Sequence, residues 1–254
     1  MGNDLPNKQR RSFRRPLVFL IFTLVISASS STALSSEQEK PETWQGSLEL
    51  GILHSEGNAN TQYHYFHFHA INERNAWRSF LSLDASNTLA SGEIVSERIQ
   101  GFVKSDYKLL DSSYLFASGE YERDVMRGYF HRGTGTLGYG NQIIHSEIFE
   151  TDYEIGVGAR YTNYSIEYRK DYEPIINLRG AIHYHLTQTT TISQKLSLKA
   201  GDNTSIWDSE TSVSQDIIQE LVLKTAFLLT YTTVVPQNIE HTDSIIRTTL
   251  IYIF

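Results

Sequence analysis

The sequence predicts an all-β protein, a transmembrane antiparallel β-barrel of about twelve strands preceded by a cleaved signal peptide. Three observations carry that prediction. The N-terminus has the layout of an export signal, and the remainder alternates apolar and polar residues in segments of barrel length. The last such segment ends on an aromatic residue.

Lys8, Arg10, Arg11, Arg14 and Arg15 form a cationic head, followed by the apolar run Leu17 to Ile26 and the small-residue stretch S-A-S-S-S-T-A. That is the three-part plan of a secretory signal. Cleavage is expected after Ala33, with Ser31 at the other small position. Residues 1–33 are then the signal, 34–43 a short periplasmic lead and 44–254 the barrel. An uncleaved anchor is the competing reading, but the apolar run is about half of the roughly 20 residues a spanning helix needs. Arg10-Arg11-Ser12-Phe13 resembles a twin-arginine signal, although nothing later points to a cofactor loaded before export. With no cysteine in the chain, a lipoprotein anchor, a disulfide framework and thiolate chemistry are all excluded. Removing residues 1–33 takes away five basic residues and one acidic, so the net charge moves from −7 to −11. An acidic exported chain is a poor nucleic-acid binder.

From Trp44 onward one theme repeats. Lys104, Asp106 and Lys108 share a face opposite Val103, Tyr107 and Leu109. Ser193, Lys195, Ser197 and Lys199 oppose Ile192, Leu196 and Leu198. Asp208, Glu210, Ser212, Ser214 and Asp216 line one side of the next segment. Strands are expected at 44–54, 60–71, 76–87, 98–109, 113–123, 129–142, 151–163, 173–185, 189–200, 206–217, 221–233 and 242–254. An even count puts both termini at one end, expected to be periplasmic. Tight turns such as N-E-R-N and L-D-S-S follow even strands. Longer stretches such as N-T-L-A-S-G-E-I-V-S-E and V-V-P-Q-N-I-E-H follow odd ones; the gap at 143–150 fits this least. S-E-G-N-A-N and G-D-N-T read as external turns in which Gly57-Asn58 and Gly201-Asp202-Asn203 supply positive φ. The spacing of a calcium loop is absent there.

A soluble β-barrel alternates in the same way with its faces inverted, so periodicity alone does not separate the two. Aromatic residues near strand ends, namely Trp44, Trp77, Tyr107, Tyr139, Tyr153, Trp207 and Tyr252, favour interfacial girdles and hence the membrane barrel. Leu250, Tyr252 and Phe254 alternate outward at the C-terminus and resemble the signal by which outer-membrane barrels are recognised for insertion.

W-Q-G-S-L-E-L-G-I-L-H-S-E-G-N-A-N-T, K-S-D-Y-K-L-L-D-S-S-Y-L-F-A-S-G-E-Y-E-R-D and L-G-Y-G-N-Q-I-I resemble the salt-induced outer-membrane proteins, a family of unknown function numbered 481. G-V-G-A-R-Y, L-S-L-K-A-G-D-N-T and T-T-L-I-Y-I-F extend the likeness over Trp44 to Phe254. The resemblance implies an outer-membrane barrel of a Gram-negative bacterium and, by the family's name, a link to salt stress. It supplies no catalytic residues. The histidine-rich H-Y-F-H-F-H departs from the family's usual second strand.

With apolar faces outward, the lumen is expected to collect Lys104, Asp106, Lys108, Glu120, Arg160 and Arg179. Lys195, Lys199, Asp208, Glu210, Lys224 and Arg247 join them from the later strands, alongside Arg78, Asp84, Glu122, Arg132, Glu154 and Asp216. Twelve strands give a backbone diameter of about 22 Å and, after side chains, a waist of about 10 Å or less. Near-balanced charges across such a waist predict a narrow or closed lumen crossed by ion pairs. Two functions follow: a channel for ions or small solutes (or a purely structural barrel), and, as the alternative, an outer-membrane hydrolase of lipid or peptide. The second lacks a G-x-S-x-G elbow and has only the rim residues Asp124, His131, Asp171 and His241 to draw on. No cofactor, metal or catalytic residue is assigned.

In T-Q-Y-H-Y-F-H-F-H-A, alternation sets His67 and His69 toward the lumen with Tyr63 and Tyr65, and Phe66 and Phe68 toward lipid. His183 and His185 repeat the spacing on the eighth strand. A periplasmic-end ring of imidazoles titrating near pH 6.5 is the functional reading; hydrogen bonding to neighbours is the plain one. The expected partners are outer-membrane lipids and, during biogenesis, periplasmic chaperones and the barrel-assembly machinery, with the protein a monomer.

Overall fold

The computed structural model describes residues 44–55, 61–146, 148–165, 169–235 and 239–254. The expected signal, the lead segment and the Gly57-Asn58 turn lie outside them. Twelve antiparallel strands close on themselves in sequence order. They are β1 (Gln45–Ser55), β2 (Thr61–Arg74), β3 (Trp77–Ala90), β4 (Glu93–Lys108), β5 (Ser113–Asp124) and β6 (Tyr129–His145), then β7 (Phe149–Tyr164), β8 (Lys170–His185), β9 (Thr190–Gly201), β10 (Ser205–Ile218), β11 (Leu221–Thr232) and β12 (Thr242–Ile253).

The orientation of the faces settles what periodicity leaves open. Leu137, Val157, Leu196, Phe227 and Ile246 are exposed on the outer surface, whereas Asp106, Glu122, Glu154 and Arg160 are buried inside. A soluble barrel would show the reverse, because its apolar side chains must leave water. Trp44, Trp77, Tyr107, Tyr153 and Tyr252 stand outward near the end that holds the termini, and Trp77 meets Tyr107 edge to face at 5.1 Å. Tyr121, Tyr172, Trp207 and Tyr231 are exposed toward the opposite end. An apolar band between aromatic girdles is the lipid-facing surface of an outer-membrane barrel.

Three expectations about connections are corrected. The stretch N-T-L-A-S-G-E-I-V-S-E is not a loop, since β3 and β4 pair to Ala90↔Glu93 and turn on Ser91 and Gly92 alone. Both have positive φ, 52° and 84°, the twist that suits a two-residue hairpin. The gap at 143–150 is likewise mostly strand, because β6 and β7 pair to His145↔Glu150 after an irregularity at Gln142/Ile144. An extra residue there hides the alternation. At G-D-N-T no described residue takes positive φ, and Gly201 serves space instead: a Cβ there would stand 2.4 Å from Glu173 Oε2.

Phe254 closes the barrel from outside. Its backbone exchanges two 2.9 Å hydrogen bonds with Gly46, and its ring stacks on Phe68 and Tyr252 at 6.5 and 6.4 Å. Gly46 has to be small, as a Cβ would meet that ring at 2.7 Å. Phe254→Ser is expected to cost about 1 kcal/mol at the closing seam and to lower the fraction of chain recovered as heat-modifiable, folded barrel. Wild-type recovery would remove Phe254 from the insertion signal.

Candidate functional site

The inward positions of β3 to β9 carry a chain of ion pairs that passes between strands distant in the sequence. Arg78 donates to Asp106 Oδ2 at 3.0 and 2.9 Å, and Lys104 Nζ lies 3.3 Å from Asp106 Oδ1 and pairs with Glu154. Glu154 is 3.8 Å from Arg179, Arg179 is 3.7 Å from Glu120, and Glu120 takes both oxygens to Lys199 Nζ at 2.6 Å. These links join β3, β4, β7, β8, β5 and β9, so the pairs reach across the lumen as well as along its wall. Glu120 and Glu154 are each less than a tenth exposed. In such surroundings charge pairing is strong, and an unpaired partner is costly.

An aromatic floor supports this tier. Lys104 Nζ sits 4.5 Å from the Phe80 ring and 5.1 Å from that of Tyr114, while Arg78 lies over the same two rings at 5.1 and 5.0 Å. The Tyr114 hydroxyl donates to Glu154 at 3.0 Å. Glycines make room for the rings. A Cβ at Gly140 would fall 2.3 Å from Tyr114, and one at Gly138 2.7 Å from Phe116.

A second tier lies toward the end away from the termini. Arg98 donates to Glu122 at 2.8 Å and approaches Asp124 at 3.9 Å, and Arg132 stands 3.8 Å from Glu122 while stacking on Tyr129 at 3.7 Å. Arg127, in the β5–β6 turn, is 3.0 Å from Asp243 on β12. Between the tiers and the wall formed by β9 to β12, β1 and β2 lies a cavity of about 870 Å³. On that wall Lys224 pairs with Glu210 at 2.8 Å and Asp208 accepts from Thr230. Lys195 and Arg247 face the cavity without a carboxylate within ion-pair distance among the described residues; Arg247 stacks on Tyr65 at 3.6 Å.

Of the charges expected in the lumen, Lys104, Asp106, Glu120, Arg179 and Lys199 form the crossing tier. Lys195, Asp208, Glu210, Lys224 and Arg247 line the opposite wall. Lys108 instead pairs with Glu73 at the rim near the termini. Arg160 is only 1% exposed and belongs to a wall clamp: it donates to Glu173 at 2.9 and 2.8 Å and to the Thr204 carbonyl, while Asn203 and Thr204 amides donate to the same carboxylate at 2.8 and 3.1 Å. Arg98, Glu49, Glu173, Arg127 and Asp243 were not expected. Arg98 continues the parity of Lys104 and Asp106 at the first position of the strand expected over 98–109, so its inward direction is already readable in the sequence.

The histidines are not gathered into one ring. His67 sits halfway along β2, 2.9 Å from Asp84, with His69 stacked on it at 6.5 Å. His183 and His185 end β8, bonded to Ser193 and Thr191 at 2.8 and 3.0 Å. His67 therefore stands well inside the barrel rather than beside the turn that follows β2. At the rim, Asp124 binds Arg98 and Arg127, His131 meets Tyr121 at 2.7 Å, Asp171 pairs with Arg169 at 2.9 Å and His241 contacts the Thr232 carbonyl at 2.7 Å. Each of the four has its own partner, and the four do not converge. Among the described residues no group of three or more His, Asp or Glu is placed to hold a metal ion.

The model of a family described only as a protein of unknown function, DUF481, matches residues 48–254. The chain belongs to the DUF481 family. An Escherichia coli (strain K12) relative, the uncharacterized protein YdiY, is 28% identical over 228 residues, 86% of each chain. Among solved structures the barrel is similar to the NanC porin, with a TM-score of 0.53 at 10% identity over 82% of this chain and 99% of that one. It is also similar to the COG4313 outer membrane channel from Pseudomonas putida F1, with a TM-score of 0.50 at 9% identity over 87% and 100%. At such identities the likeness is one of fold. This DUF481 chain is an outer-membrane β-barrel.

Proposed function

We propose that this DUF481 protein is a narrow outer-membrane channel for ions or small polar solutes, with the crossing ion pairs as its constriction. The observation that carries the reading is the coexistence of a lumen-spanning chain, Arg78 to Lys199, with an 870 Å³ cavity left beside it. Fixed charges at close quarters select by sign and size. The open lane runs along β9 to β12, β1 and β2, where Lys195, Arg247, His67 and His69 face the solute. Its surroundings in this reading are outer-membrane lipids at the belt and, during biogenesis, the chaperones and assembly machinery that handle β12.

The test is single-channel recording from the refolded protein in planar bilayers at pH 8 and pH 5. Discrete small steps are expected, with a selectivity that differs between the two pH values if the lumen histidines contribute to it. The pH effect should be lost in a His67→Gln/His69→Gln variant. Silence at both pH values from protein shown to be folded would overturn the channel, and an unchanged pH response in the variant would relieve the histidines of that role.

A further inference from the structure

The seam where the barrel closes is only half paired. β1 and β2 stay in register from Gln45↔Ile71 to Ser55↔Thr61, and β11 and β12 from Leu221↔Tyr252 to Tyr231↔Thr242. Between β1 and β12 the register runs only from Ser47↔Ile253 to Leu50↔Leu250, extended by the Gly46–Phe254 bonds. Carried on, it would set Gly51 through Ser55 opposite Thr249 through Ile245. Both segments are strand, yet among the described residues they are not paired to one another.

Side chains hold what the backbones leave. Thr249 donates its hydroxyl to Glu49 on β1. Arg247 of β12 lies on Tyr65 of β2, passing the position of Gly51, which is the register partner of Tyr65 and too crowded for a side chain, since a Cβ would come 2.9 Å from Thr249. Two contacts thus latch the upper seam from inside. Outside, Ile52 and Ile246 flank it at 78% and 75% exposure, among the highest of the barrel's apolar side chains. Inside, Arg247 borders the cavity, and its Nε is buried without a hydrogen-bond partner.

Unpaired strand edges are not tolerated against hydrocarbon, because their N–H and C=O groups need polar partners. A wholly apolar ligand would leave them unsatisfied. A wholly polar one would have to pass Ile52 and Ile246. A molecule with an anionic head and one apolar chain meets both demands: the head pairs with the Arg247 guanidinium, which borders the cavity with no carboxylate at ion-pair distance among the described residues, and the chain lies between the isoleucines. We propose that the upper half of the β1–β12 seam is a lateral portal through which an anionic single-chain amphiphile passes between the cavity and the adjoining leaflet. This path is separate from the axial one and stands whether or not the axial lumen conducts.

The chain has no cysteine of its own, so the seam can be stapled cleanly. In the full chain, folded in nanodiscs, an Ile52→Cys/Thr248→Cys variant is compared reduced, oxidised and bridged by a short bis-maleimide. Binding of a fluorescent dodecanoate derivative is the readout. Bridging by either route is expected to weaken binding about tenfold, the disulfide reversibly on reduction, and Arg247→Gln to weaken it by a similar factor. The corresponding dodecanol probe should lose affinity on bridging and be indifferent to Arg247→Gln. Equal dodecanoate binding in bridged and open protein, with heat-modifiability showing both folded, would overturn the portal. A cross-link joining two chains instead of two strands of one would assign the gap to self-association and overturn it as well.

Discussion

Arg160→Leu is expected to be the most damaging single substitution in the barrel wall, lowering stability by about 3–5 kcal/mol. The carboxylate of Glu173 is 3% exposed and is held by Arg160 and by two amides of the turn between β9 and β10. Without the guanidinium a buried negative charge keeps only backbone donors, and the 201–204 turn loses the bond that Arg160 makes to the Thr204 carbonyl. The denaturation midpoint in urea, read by the heat-modifiable gel shift in lipid, measures the loss. Arg160→Lys should recover part of it, because an ammonium restores the charge but not the two-nitrogen grip on one oxygen. A midpoint within error of wild type would show that the clamp contributes nothing net.

The second large effect lies at the proposed constriction. Glu120→Gln leaves Lys199 and Arg179 without the carboxylate that both approach, at 2.6 and 3.7 Å. Selectivity is expected to move several-fold toward anions, and stability to fall. Glu120→Gln/Lys199→Gln removes the crossing pair together, so no lone buried charge remains between them. Its unitary conductance should rise by about a factor of two as the waist widens. The double variant should also be more stable than the single one, since deleting both partners avoids the penalty of leaving one. Unchanged conductance in both would place the constriction elsewhere.

Much of the architecture is legible in the residues. Charges at Lys104 and Asp106, spaced by two, and at Lys195 and Lys199, spaced by four, set the inward face, and Leu250, Tyr252 and Phe254 mark the closing strand. Legibility ends where alternation is interrupted or disguised. The Ser91-Gly92 hairpin lies inside a polar, small-residue run that reads as a loop, because neither face of the hairpin tips needs to be apolar. The irregularity at Gln142/Ile144 slips the parity of one strand against its neighbour. The wall clamp was hidden for another reason. Gly201 looks like a turn glycine, and only three-dimensional proximity shows that its missing Cβ gives Glu173 its place. The glycines of L-G-Y-G carry a signal that could have been used. Inward glycines at alternate positions on one strand imply bulky side chains facing them from the next, here Tyr114 and Phe116. Who pairs with whom across the lumen stays unreadable, because it depends on shear and side-chain reach rather than on neighbours in the chain.

The span of those lumen contacts along the chain has a consequence for how the protein is made. Glu120 meets its cations in β8 and β9, up to 79 residues later, and Glu49 waits 200 residues for Thr249. A nascent chain that has delivered only its first half therefore carries polar groups whose counterparts do not yet exist. Burying them early would strand them, so they stay hydrated until the closing strand arrives. Assembly is thereby weighted toward a single late event, with little gained from partial sheets. Truncation from the C-terminus should yield chains that remain unfolded and vulnerable to proteases, not smaller barrels.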